Sequence, residues 1–184
     1  MPDQRQLLTI CVPVYNEAEN IEPLHDALLP VMSSLADRYD FELLFTDNHS
    51  EDGTFEALQR LADRDPRVRV LRFSRNCGFQ RSIFTAYANA RGAAAIQIDC
   101  DLQDPPSLII EFVRKWEGGY RVVYGVRSTR REGWWMTSIR KVFYRLIDAL
   151  SEDRLPLDAG DFRLVDRRLL DQLKQFDDYQ PYLR

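Results

Sequence analysis

Residues 7–124 alternate short apolar runs with longer segments of helical periodicity, and this alternation limits the chain to few folds. Runs at 7–14, 41–46, 68–73, from Ala95 onward and at 121–124 read as strands. Helices are expected between them, over about 19–38, 54–63, 80–91 and 106–117. Pro30 falls inside the first and should kink or split it. Ser50 or Asp52 can cap the second, and Gly92 and Gly118-Gly119 stop the third and fourth. Strands joined through helices by short connections imply an α/β fold, a mostly parallel central sheet with helices on both faces. A chain of 184 residues fits one such domain.

Ligands of such sheets bind at the carboxyl ends of the strands. Polar residues collect there: Tyr15 and Glu17 after strand one, Asp47 and Asn48 after strand two, Asn76 after strand three, Asp99 and Asp101 after strand four. In the last of these, Ala95-Ile96-Gln97-Ile98-Asp99-Cys100-Asp101-Leu102-Gln103-Asp104-Pro105-Pro106, an apolar run ends in three carboxylates. Strand periodicity would aim Asp99 and Asp101 one way and Cys100 the other. Asp104 reads as the N-cap of the next helix, with a proline at its first position. The two acids either cap a loop or bind a hard divalent cation, since Mg²⁺ takes one or two carboxylates plus phosphates and water. The convergence of four polar strand ends favours the cation. Neither Gly-x-Gly-x-x-Gly nor the phosphate-loop Gly-x-x-x-x-Gly-Lys is present, so a dehydrogenase or P-loop enzyme is not indicated.

The second half changes character. Residues 127–145 carry Arg127, Arg130, Arg131, Arg140, Lys141 and Arg145 against the single acid Glu132, with Trp134 and Trp135 among them. Ile139, Val142, Phe143, Leu146, Ile147 and Leu150 form one helical apolar stripe. The segment is either a helix packed on the domain with a wet arginine face, or one that clamps phosphates and rests on an anionic membrane surface. Near the end, Gly160 permits a tight turn that would present Asp161 as a general base; the alternative is that Asp158 or Asp161 caps a turn or pairs with Arg163. A short helix follows, to about residue 176.

A net charge of −4 gives no global case for nucleic acid as partner. Three scattered cysteines without Cys-x-x-Cys argue against a disulfide framework and fit a reducing compartment. With only His25 and His49, a histidine-rich metal site is not expected. No apolar run has the length of a membrane span or the pattern of a signal peptide.

Taken together, the motifs resemble family 2 glycosyltransferases of the GT-A fold, and among them the polyprenyl-phosphate sugar transferases, dolichol-phosphate mannose synthases and bactoprenol-phosphate glucosyltransferases. The elements are Val12-Pro13-Val14-Tyr15-Asn16-Glu17, Asp47-Asn48-His49-Ser50-Glu51-Asp52-Gly53-Thr54, Arg75-Asn76-Cys77-Gly78, Asp99 to Pro106, and Gly160-Asp161-Phe162-Arg163. Each is weak alone; their order and spacing are specific to the family. The resemblance implies an inverting hexose transfer from a nucleotide-sugar, UDP-linked, to polyprenyl phosphate on the cytoplasmic side of the membrane. It implies Mg²⁺ or Mn²⁺ at Asp99, Asp101 and Gln103. Pro13, Tyr15, Glu17 and Asp47 match nucleoside positions, Asn76 falls in the donor site, Arg127 and Arg140 match phosphate-facing arginines, Asp161 matches a proposed base, and Asp101 joins it as a catalytic residue. Asn48 and His49 replace the common Asp and Gly, which leaves the nucleobase contact to Asp47, and Phe79 stands where many relatives carry a basic residue. Transfer to a surface polysaccharide or glycolipid is the alternative acceptor reading, and a nucleotide-sugar binding module without activity is the alternative class. A homo-oligomer is compatible with the sequence. Bactoprenol-type members continue into membrane helices, so a single GT-A domain over residues 1–184, truncated before them, is expected.

Overall fold

A computed structural model describes residues 5–126 and 159–175. The elements are β1 (Gln6–Val14), α1 (Ile21–Leu35), β2 (Tyr39–Asp47), α2 (Thr54–Arg64), β3 (Val68–Arg72), α3 (Phe79–Asn89), β4 (Ala94–Gln97), α4 (Leu108–Glu117), β5 (Val122–Val126), β6 (Ala159–Asp166) and α5 (Arg167–Leu173). The chain divides into a larger unit, residues up to Tyr124 together with Asp161 onward, and a smaller one, Gly125–Gly160. Nearly all described residues belong to the larger. Arg127, Arg140, the tryptophan pair and the expected helix around 139–150 lie outside the described residues.

Among the described residues six strands form one sheet, in the order β3-β2-β1-β4-β6-β5. β1 runs parallel to β2 and β4, and β2 parallel to β3. β6 pairs antiparallel with β4, so the expected, mostly parallel sheet contains one antiparallel pairing. Strand alternation splits the core. Leu8, Ile10 and Val12 of β1 and Phe162 and Leu164 of β6 face one layer, with α1, α2 and α4. Cys11, Leu44, Ala95 and Val165 face the other, with Ile83, Ala86 and Tyr87 of α3 and Leu170 of α5.

Helix α1 continues through Pro30 instead of splitting. Pro30 is exposed, so the carbonyl freed one turn earlier can reach water. The opposite stripe, Leu24, Leu28, Met32 and Leu35, is fully buried, and burying each such side chain stabilises by about 1.5–3 kcal/mol before entropy is counted. That burial offsets one missing hydrogen bond. Asp104 is not the N-cap of α4. Pro105 and Pro106 instead accept from the amides of Leu108 and Ile109 in a preceding turn, and the helix starts at Leu108. Gly160 lies in β6 rather than in a tight turn, so Asp161 stands on a strand.

The registers align the strand ends. Val14 is opposite Asp47, and Asp47 opposite Arg72. The loops after β1, β2 and β3 therefore leave the sheet side by side.

Candidate functional site

These adjacent loops are laced together by their own polar groups. The amide of Asn16 donates to Ser50 Oγ (2.9 Å), that of Glu17 to Thr54 Oγ1 (2.8 Å), and that of Ala18 to Asp52 Oδ2 (3.2 Å). In return the Glu51 amide donates to Asn16 Oδ1 (2.9 Å). Asp52 also accepts from the Thr54 amide at 3.1 Å, the expected capping role taken one residue early because Gly53 occupies the N-cap position. Burial raises the Asp52 pKa, but the hydrogen bonds from Thr54 and Ala18 outweigh it and hold it below the usual carboxylate range.

The second loop is tied to the third. Asn48 Nδ2 donates to Asn76 Oδ1 at 2.9 Å, and Asn48 Oδ1 accepts from the Cys77 amide at 2.8 Å. Asn76 Oδ1 accepts in addition from the Gly78 amide at 2.9 Å. Asn16, His49 and Leu102 all have positive φ, at 57°, 66° and 58°. Non-glycine residues seldom adopt this conformation, and three such loops on one sheet edge mark a site where the fold holds a costly shape.

Together the loops enclose an open cleft of about 430 Å³. Its lining includes Pro13 at the end of β1, Tyr15 and Glu17 after it, Asn48 after β2, Asn76 before α3, and Asp99 and Asp101 after β4. Seven of the sequence-expected or flagged positions thus meet in one place. β4 ends at Gln97, so Asp99 and Asp101 sit in the loop beyond the strand, not on one strand face. Cys100 also touches the cleft while its side chain joins the core. Its thiol is pushed up to about 12, first by burial and then by the negative charges of Glu17, Asp101 and Asp99. The cleft thus concentrates carboxylates.

Other expected residues lie elsewhere. Asp47 is fully buried, accepts from the Ser50 amide at 3.0 Å and pairs with Arg72 at 3.2 Å. The cleft wall at this loop is Asn48. Gln103 is exposed in the turn after the acids, its amide donating to Asp101 Oδ1 at 3.1 Å. Asp161 is ion-paired with Arg163 at 3.2 Å, both largely buried on the α3 side of β6. Gln97 is fully buried on that side, where its Oε1 accepts from Tyr87 Oη.

Sequence reasoning gave no ligand role to Phe79, which stands 40% exposed on the cleft, or to Ser82. A signal existed for both. The buried stripe of α3 runs through Ser82, Ile83, Ala86 and Tyr87, and Phe79 extends it one turn beyond the cover of the sheet. A stripe that outruns its sheet has to face a loop, solvent or a ligand.

The profile of glycosyl transferase family 2 matches residues 9–174. The chain belongs to this family. It is 41% identical over 177 residues to an uncharacterized glycosyltransferase, YkcC, of Bacillus subtilis, covering 96% of this chain and 54% of that protein. It is 33% identical over 168 residues to the bactoprenol glucosyl transferase of Shigella phage SfV, covering 91% of this chain and 54% of the relative. The chain spans about half the length of the curated relatives it matches. Among solved structures it resembles the mannosyltransferase PcManGT from Pyrobaculum calidifontis in complex with GDP-Man and Mn²⁺, at 25% identity and a TM-score of 0.63, covering 94% of this chain and 48% of that one. The fold is thereby GT-A-like.

Proposed function

We propose that this domain binds a nucleotide-sugar, UDP-linked, in the cleft and transfers its hexose with inversion to a polyprenyl phosphate at the cytoplasmic membrane face. The observation that carries the reading is the meeting of Tyr15, Glu17, Asn48, Asn76, Asp99 and Asp101 in one cleft at the carboxyl edge of the sheet. The bactoprenol relatives motivate the acceptor.

Two carboxylates lining one cleft are a hard oxygen donor set, short of a full shell, which suits a divalent ion completed by phosphates and water. Asp99 and Asp101 would hold Mg²⁺ or Mn²⁺, with Gln103 in the same turn. When bound, the ion supplies positive charge to a leaving diphosphate. Tyr15 and Phe79, both exposed at the cleft, offer apolar faces to a nucleobase. Asn48 and Asn76, locked to each other and to the 77–78 backbone, present fixed polar groups beside it. An oxygen of the acceptor phosphate attacks the anomeric carbon while the bond to the diphosphate breaks and its electron pair leaves with the diphosphate. That oxygen is already anionic, so no proton has to be removed. In this reading Asp161, held by Arg163, orients the acceptor side, and Arg127 and Arg140 neutralise acceptor phosphate.

The test is calorimetry and thermal shift of the full chain with UDP-, GDP- and dTDP-sugars, with and without Mn²⁺. UDP-sugars with Mn²⁺ are expected to stabilise most, by about 2.7 kcal/mol at a hundredfold excess over Kd. Asp101→Ala should weaken Mn²⁺-dependent donor binding roughly 100-fold or more, because a direct ligand is lost. Absence of stabilisation by every donor would sink the proposal.

A further inference from the structure

Away from the cleft, the first two turns of α1 carry a second group of ligand-type side chains. One potential ligand atom each of Glu22, His25 and Asp26 lies within 4.8 Å of the others. Their i, i+3, i+4 spacing places them on one side of the helix. Glu22 and Asp26 are accessible, whereas the His25 side chain is only 7% exposed.

The two ring nitrogens of His25 have different surroundings. Nε2 lies 3.0 Å from Asp65 Oδ2. Asp65 is in turn gripped by Arg67, whose Nη2 donates to Oδ2 at 2.6 Å and whose Nε donates to Oδ1 at 2.9 Å. The Arg67 hydrogen bonds, with help from His25, hold the Asp65 carboxyl far below its usual range against the opposing effect of burial. An ionised Asp65 only accepts, so Nε2 carries the proton. In the neutral imidazole Nδ1 is then left with a lone pair. It is buried without a hydrogen-bond partner, and the nearest carboxylate oxygen, Asp26 Oδ1, is 3.6 Å away. That lone pair and Asp26 Oδ1 repel unless a cation lies between them, and the charge of Glu22 is met from the other side by Arg64. A carboxylate that fixes the far nitrogen of a histidine is also the usual outer shell of a metal-ligating imidazole.

We propose that Glu22, His25 Nδ1 and Asp26 form a surface site for a divalent transition-metal ion of the Zn²⁺ type, with Asp65 orienting the imidazole. One nitrogen and two oxygens with open positions for water suit such an ion, and the imidazole distinguishes this site from the all-oxygen donor set of the cleft. Arg64, 58% exposed, pairs with Glu22 at 2.5 Å and is the group the ion displaces. The ion would pin the start of α1, the helix entered from the loop that carries Tyr15 and Glu17.

The chain has only two histidines, so ring-nitrogen NMR reads the site directly. Zn²⁺ is titrated into the full chain carrying Asp101→Ala, which weakens the cleft as a competing site, at about pH 8, where an unperturbed imidazole is neutral. One equivalent should shift His25 Nδ1 into the metal-bound range and leave Nε2 protonated, with excess Mg²⁺ unable to compete. Glu22→Gln and Asp26→Asn, both at accessible positions, should each weaken Zn²⁺ roughly tenfold or more, and Arg64→Met should tighten it. The proposal is overturned if His25 Nδ1 carries a proton under these conditions and ignores Zn²⁺, or if neither carboxylate variant changes the affinity. Donor binding in the cleft is not read by these signals, so the outcome is independent of the transferase reading.

Discussion

The two edges of the sheet use charge differently. At the amino edge, carboxylates, arginines and carbonyls satisfy one another. Glu42 accepts from Thr9 Oγ1 at 2.8 Å and from the Arg91 amide at 3.3 Å, and it pairs with Arg69. Arg167 donates through Nη2 to Ala90 O and through Nε to Gly92 O, both at 2.8 Å. At the carboxyl edge, Glu17, Asp99 and Asp101 surround one cleft, and the loops around it hold positive-φ residues. Similar residue types do different work. One edge closes the structure, and the other stores charge and backbone strain where a charged ligand can use them.

Substitutions can break this contrast. The largest expected effect on stability is at the amino edge. A Cβ on Gly92 would lie 2.6 Å from the Thr9 amide nitrogen and 2.8 Å from the carbonyl oxygens of Ala94 and Leu7. All three are backbone atoms that cannot swing aside. Gly92→Ala should therefore cost about 3 kcal/mol in chemical denaturation, at the upper end for overpacking. Donor affinity per folded molecule should be unchanged. A stable Gly92→Ala protein with weakened donor binding would mean the two edges are not separable. The next effect belongs to the carboxyl edge. Asn48→Asp removes the amide donor to Asn76 Oδ1 and sets two acceptors against each other. Donor affinity should fall on the order of tenfold, matching about 1.4 kcal/mol, with a smaller change in melting temperature. Calorimetry on the two variants together checks the contrast.

The sequence made some of this legible. The existence and order of the first five strands and four helices followed from periodicity, because each element needs an apolar stripe for the sheet. The antiparallel entry of β6 was hidden, since pairing direction leaves no trace in local pattern and Gly160 read as a turn. Asp47 was misleading for a different reason. Position at a strand end does not say whether a side chain turns toward the cleft or back under it. Here Arg72, with its guanidinium 4.3 Å from the centre of the Phe55 ring, draws Asp47 inward and leaves Asn48 on the wall. Tyr15, Glu17, Asn76, Asp99 and Asp101 were legible because several strand ends had to converge. The His25 site was illegible, since its sense depends on Asp65, forty residues later in the chain.

The smallest expected effect concerns acid, and it sets Asp65, just before the amino end of β3, against Asp52 in the carboxyl-edge loops. Both carboxyls lie below their ordinary values. A depressed folded-state pKa means that the unfolded chain binds a proton first as pH falls. The contribution is complete above the unfolded value, near pH 4, and fades as pH drops through the folded one. For Asp65, whose carboxylate holds Arg67 and His25, the loss appears in global unfolding. Asp65→Asn should be less stable than wild type at neutral pH, with a flatter decline below about pH 4. For exposed Asp52, which anchors the Ala18 and Thr54 amides, the loss should appear first as faster amide exchange in the loop over residues 15–18, before global unfolding. Simultaneous loss of both signals would show that the two edges unfold as one unit and that their division of labour is chemical but not energetic.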